Sequence, residues 1–87
     1  MPGRILNMEK PSEKQIDALL ALADNPAVWV RNRYRTHEGA GQPIGLLTSG
    51  SLVRRGWANV QRTTEGDTPI IRLVISTAGL DIVEPYL

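Results

Sequence analysis

The sequence predicts an α+β domain whose elements run helix, short strand, helix, β-hairpin and short C-terminal helix. Three observations carry this. An apolar stripe of helical period follows Pro11. Two β-branched runs flank the polar turn Thr64-Glu65-Gly66-Asp67-Thr68-Pro69. Between them, a leucine- and hydroxyl-rich segment ends in Arg54-Arg55-Gly56-Trp57, a helix that stops at glycine and runs directly into a strand.

The first helix begins at Ser12, because Ser12 followed by Gln15 fits a capping box. Ile16, Leu19, Leu20 and Ala23 fall at i, i+3, i+4 and i+7, and Leu22 widens the stripe. Asn25-Pro26 ends it, since proline disfavours helical geometry in the residue before it. Ala27-Val28-Trp29-Val30 is short, β-branched and aromatic, and the alternating Arg31-Asn32-Arg33-Tyr34-Arg35 follows. A single strand through both places Arg31, Arg33 and Arg35 on one side and Val30, Asn32 and Tyr34 on the other. A helix over 27–36 is the alternative, and it scatters the arginines.

Thr36 to Pro43 holds two glycines and a proline and reads as a loop. Ile44 to Arg55 reads as a short helix in which Gly45 and Gly50 each cost about 1 kcal/mol relative to alanine, so tertiary packing must hold it. Gly56 suits a left-handed stop, and Arg54 and Arg55 sit where cations favour the helix dipole. Trp57 to Thr63 and Ile70 to Ser76 form the hairpin strands. Thr77 then offers a capping hydroxyl to a last helix that ends near Pro85.

With 87 residues, the chain fits one domain and buries only roughly 60–65% of its unfolded surface. The expected division is an extended N-terminal segment over 1–11 and a single domain over 12–87. There is no cysteine, which removes disulfides, thiolate metal sites and cysteine nucleophiles. The first residues hold too short an apolar stretch for a signal peptide, and no segment approaches the ~20 apolar residues of a membrane span. A cytoplasmic protein, with no membrane partner, is expected.

The net charge of +1 conceals an asymmetry. Val28 to Thr63 carries Arg31, Arg33, Arg35, Arg54, Arg55 and Arg62 against Glu38 alone, a balance of +5, and the remainder carries −4. Such a segment makes a basic face if folding keeps it to one side. Arginine's planar fork suits phosphate, carboxylate and guanine edges alike.

Leu52-Val53-Arg54-Arg55-Gly56-Trp57, a hairpin, and then Ser76-Thr77-Ala78-Gly79-Leu80 together resemble the second half of winged helix-turn-helix domains, especially MarR-like and PadR-like regulators. The resemblance covers Gly45 to Val83 and implies a small winged-helix-like domain that binds double-stranded DNA, as a transcriptional regulator or architectural factor, with a homodimer as one arrangement. It further implies that Ile44 to Arg55 is a recognition helix presenting Thr48, Ser51, Arg54 and Arg55 outward while Leu47 and Leu52 face the core. Arg62 would lie on the wing, and Arg31, Arg33 and Arg35 would track phosphate. Those families place an amphipathic second helix where Val28 to Pro43 here reads as strand and loop, and they carry a dimerisation helix that this sequence lacks. A stand-alone domain of this size resembles small phage or mobile-element proteins.

Each candidate has a plainer reading. Arg54 and Arg55 are also the cations that any helix C-terminus favours. The wing tip carries Glu65 and Asp67, which repel phosphate. Trp29 and Trp57 could stack on bases, yet tryptophans beside β-branched neighbours in a chain without Phe are more often core. These points support an alternative of another class, a winged-helix-like adaptor or inhibitor that binds protein. His37 and Glu38 lack metal-ligand spacing, and neither a phosphate loop nor a Gly-x-Ser-x-Gly elbow occurs, so no enzyme, metal or cofactor is expected.

Overall fold

The structure, a computed structural model, describes residues 10–87. The extended segment expected over 1–11 therefore lies almost wholly outside the described residues, and Lys10 and Pro11 carry no regular structure. Among the described residues, three helices, α1 (Glu13–Asp24), α2 (Leu46–Arg54) and α3 (Thr77–Val83), accompany five strands, β1 (Ala27–Val30), β2 (Arg33–Arg35), β3 (Pro43–Ile44), β4 (Ala58–Glu65) and β5 (Thr68–Ile75). A 3₁₀ turn over Glu84–Tyr86 follows α3. The strands form one antiparallel sheet of order β3-β2-β1-β5-β4.

The helices pack on one sheet face. Ala27, Ile44, Ala58 and Leu73 from the strands meet Leu19 and Leu22 of α1, Leu52 of α2, Val83 of α3 and Trp57, and all are buried. Both reciprocal bonds of the capping box at Ser12 and Gln15 are present. α2 ends in a Schellman motif: Gly56 has φ 76°, its N–H donates to the Val53 carbonyl, and the Trp57 N–H donates to the Leu52 carbonyl. That geometry fixes the turn into β4 and drives Trp57 and Leu52 into the core together. The cap of α3 is Ser76 instead of Thr77, with Ser76 Oγ accepting from the Gly79 N–H and donating to the Gly56 carbonyl. Gly79 is buried against the Trp57 backbone, where a Cβ would collide with the Trp57 carbonyl.

Two strand expectations are corrected. The single strand over 27–35 is in fact two strands, because Arg31 (φ 53°) and Asn32 (φ 66°) both take left-handed backbone and make a two-residue hairpin turn. Asn32 tolerates that region and supplies the turn. The expected row of three arginines therefore does not form: Arg31 lies in the turn, while Arg33 and Arg35 pair with Val30 and Val28 on the sheet face away from the helices. The main hairpin is also longer than expected, its strands reaching Glu65 and Thr68 around a Gly66-Asp67 turn in which Gly66 has φ 63°. Pro69 fits within β5 because β1 pairs with β5 only at Leu73 and Arg72, leaving the outer part of β5 without that neighbour.

No helix forms between residues 31 and 43. Residues 36–42 instead make a looped corner closed by N–H donation from Gly39 and Gly41 to the Thr36 carbonyl and from Thr36 to the Gln42 carbonyl. Gly39 rests against Val28 and Val30, so this corner covers part of the outer sheet face. No helix among the described residues is long and apolar enough to cross a membrane.

Candidate nucleic-acid interface

α2 connects edge strand β3 to edge strand β4, so it lies across the helix-bearing side of the sheet with one flank toward α1. Its rotation about its own axis decides what it displays, and three contacts set that rotation. Leu52 and Ser49 are buried beneath it. Ser51 Oγ accepts a 2.8 Å hydrogen bond from Gln15 Nε2 of α1 and donates to the Thr48 carbonyl. Thr48 borders an open groove of about 490 Å³ together with Ala18 and Ala21 of α1 and with Ile44.

The orientation expected for this helix is corrected accordingly. Thr48 and Ser51 are half-buried and face α1, whereas Leu47 is 89% exposed and does not enter the core. Leu47, Gly50 and Arg54, at i, i+3 and i+7, form the outermost line, with Leu46 (49% exposed) and Val53 (39%) beside it. The displayed face is thus apolar with one terminal guanidinium, and Arg54 folds back along the helix over Gly50. The signal was available in the hydroxyls: Ser49 and Ser51 look polar, yet each satisfies a backbone carbonyl within its own helix, which suits it to a packed face.

The six candidate arginines divide among four places. Arg54 and Arg55 close α2, and the Arg55 guanidinium stands 4.9 Å from the centroid of the buried Trp57 ring. Arg33 and Arg35 lie on the outer sheet face, where Arg33 donates to the Asn32 carbonyl and Arg35 to the Gly41 carbonyl. Arg62 lies on the helix-bearing face of β4, opposite Ile71. Because β1 and β5 run antiparallel, the Arg31 turn points toward the hairpin tip, whereas Arg54 and Arg55 lie at the hairpin base. Four residues of strand, about 13 Å, separate Ala58 at the base from Arg62.

Arg31, Arg33, Arg35, Arg54 and Arg62 make no ion pair among the described residues. Arg72, in contrast, is held by two carboxylates, with Nε 3.1 Å from Glu38 and Nη2 2.9 Å from Glu65, and its Nη1 donates to Thr63 Oγ1. The hydrogen bonds to Glu65 and then Glu38 push its pKa further up. This clamp engages both Glu38 and Glu65, and with one guanidinium between two carboxylates the cluster keeps one negative charge.

The two tryptophans part company. Trp57 is 5% exposed and belongs to the core, as expected. Trp29 is 37% exposed and stands edge-to-face against Tyr34, with ring centroids 4.8 Å apart, across the β1–β2 pair. The Tyr34 hydroxyl is pushed up by burial, and the positive charge of Arg62 acts in the opposite sense.

No protein-family model, curated protein or solved structure matches the chain. The arrangement of side chains is therefore what bears on function. Among the described residues, no group of three or more His, Asp or Glu side chains could hold a metal ion.

Proposed function

We propose that this chain is a small winged-helix-like DNA-binding protein acting in the cytoplasm as a transcriptional regulator or architectural factor. The observation that carries the reading is the contrast among its arginines. Arg72 is held by Glu38 and Glu65, while Arg31, Arg33, Arg35, Arg54 and Arg62 make no ion pair among the described residues and can meet an external anion. The element order supports it: α2 stops at Gly56 and enters a long hairpin, and β1 pairs with the returning strand of that hairpin. On this reading Arg54 and Arg55 meet the duplex at the end of α2, and Arg62 and Arg31 reach phosphates along the hairpin side.

The test is binding to mixed-sequence duplex DNA at several salt concentrations. If the five open arginines each neutralise a phosphate, log K falls against log salt with a slope of about −4 to −5. Arg54→Glu should weaken binding at least about tenfold, the cost of losing one attractive contact and adding a repulsive one. Binding that is absent at low salt, or indifferent to Arg54→Glu, rejects the proposal.

A second reading, a protein-binding adaptor or inhibitor, is favoured by one observation: Leu46, Leu47 and Val53 are exposed together on α2. An apolar helix face suits a protein groove better than a polyanion. Leu47→Asp would then abolish complex formation and leave any DNA binding in place.

A further inference from the structure

We propose that Trp29, Tyr34 and Arg62 form a stacking platform for unpaired nucleobases, so that the protein binds single-stranded nucleic acid at a site separate from the end of α2. The proposal rests on the nucleic-acid reading of the arginines and specifies a different substrate for one part of the surface.

The argument begins with burial along one strand. Ala27 is fully buried on the helix-bearing face of β1, and Trp29, two residues on and on the same face, is more than a third exposed. The helices' cover therefore ends between them. Trp29 is not part of the buried core cluster, to which Trp57 belongs with Leu52 and Val83. Tyr34 braces Trp29 edge-to-face from β2, which limits the rotamers open to both rings before any ligand arrives.

Register brings a cation to the same row. Ala27 pairs with Leu73 and Val28 with Arg72, where the β1–β5 pairing ends, and strand alternation keeps Trp29 on the face of Ala27 and Leu73, which also carries Ile71 and its partner Arg62 on β4. Tyr34, Trp29, Ile71 and Arg62 thus cross four strands on one face. Arg31 stands exposed in the turn directly after β1. On the acidic side, Glu65 is engaged by Arg72 on the opposite face of the sheet, and Asp67 stands at the hairpin tip.

An exposed indole, braced edge-to-face by a phenol and flanked by guanidiniums, suits a single strand: an unpaired base stacks on the indole face and the cations hold the backbone. Duplex bases already have both faces covered by neighbours, so this surface discriminates in favour of unpaired bases. Stacking is tolerant of sequence because every base offers a π-face.

The experiment compares a fluorescein-labelled oligothymidylate with a mixed-sequence duplex, using the full chain and its Trp29→Ala, Trp29→Phe and Arg54→Glu variants at low salt. We expect Trp29→Ala to weaken single-strand binding by about five- to 100-fold while duplex binding stays within about twofold, Trp29→Phe to retain most of the affinity, and Arg54→Glu to affect mainly the duplex. In the unmodified protein, the oligonucleotide should quench the Trp29 share of the emission and leave buried Trp57 emitting, a readout independent of any variant's folding. Single-strand binding without duplex binding upholds this site and rejects the duplex reading. Absence of single-strand binding, binding without quenching, or equal losses for both ligands in Trp29→Ala overturns it, as does a Trp29→Ala effect confined to self-association.

Discussion

Gln15 and Ser51 join α1 to α2 through a 2.8 Å hydrogen bond, with Gln15 Nε2 donating to Ser51 Oγ. The same Gln15 side chain accepts from the Ser12 N–H through its other end, so one buried residue both caps α1 and locks the rotation of α2. Ser51→Ala leaves the Gln15 amide without that acceptor and should destabilise the fold by about 1–3 kcal/mol. Urea unfolding measures this, and a double-mutant cycle with Gln15→Ala should show the two changes to be non-additive.

The exposed line of α2 makes an opposite prediction for two neighbouring leucines. Leu52 is fully buried, so Leu52→Ala should cost about 2–5 kcal/mol. Leu47→Ser should change stability by no more than about 0.5 kcal/mol. A large loss for Leu47→Ser in thermal or urea unfolding would place that side chain in the core and reverse the rotation described for α2.

Gly79 is expected to be intolerant for a reason unrelated to backbone freedom. Its missing side chain is where the Trp57 carbonyl sits, so Gly79→Ala forces α3 away from the β4 entrance. A loss of about 1–3 kcal/mol or more is expected by calorimetry, with Thr77→Ala on the exposed side of α3 as a nearly neutral control.

Tyr34 supplies a test of the sheet register around Arg62. Burial holds its phenol above the ordinary value of about 10, and Arg62 opposes that shift. In a Tyr86→Phe background, ultraviolet titration should therefore find Tyr34 ionising late, and Arg62→Ala should delay it further. The linkage has a definite sign. The folded pKa lies above the unfolded one, so the stabilisation is fully present below about pH 10 and is lost as pH rises through the folded value. An unchanged Tyr34 titration in Arg62→Ala would separate the two groups.

The Arg72 clamp predicts an effect on charge. Arg72→Gln releases Glu38 and Glu65 and makes the charge beside the hairpin more negative by one. DNA affinity should fall even though Arg72 itself is engaged by protein groups, and amide exchange should quicken around Thr63–Thr68. Unchanged exchange there would show that the hairpin needs no clamp.

The elements that the sequence made legible are those governed by local rules. Ser12 with Gln15 marked the start of α1, and Gly56 marked the stop of α2, because a cap and a left-handed glycine depend on a few adjacent residues. What escaped was decided by contacts remote in sequence. The strict alternation over 31–35 concealed a turn at Arg31-Asn32, whose presence depends on β2 pairing back onto β1 and onward to β3. The face of α2 depended on a glutamine far upstream, and no periodicity within Ile44 to Arg55 could distinguish Leu47 outward from Leu47 inward. Of the candidate arginines, the residue types were visible, but their division among a turn, two sheet faces and a helix end follows from register alone.

That register also orders the steps by which the chain reaches its fold. β1 with β2 and β4 with β5 are hairpins between neighbouring segments, each able to close quickly on its own. The seam between them, Ala27 with Leu73 and Val28 with Arg72, joins opposite halves of the chain and bears the loop-closure entropy of everything between. Folding should therefore be limited by this one seam. A circular permutant cut within the corner at 36–42, with the ends rejoined, would separate β2 from β3 and reroute the path from β1 to β5 through the joined ends, while leaving the β1–β2 and β4–β5 hairpins intact. Its refolding rate would report which pairing the transition state has already made.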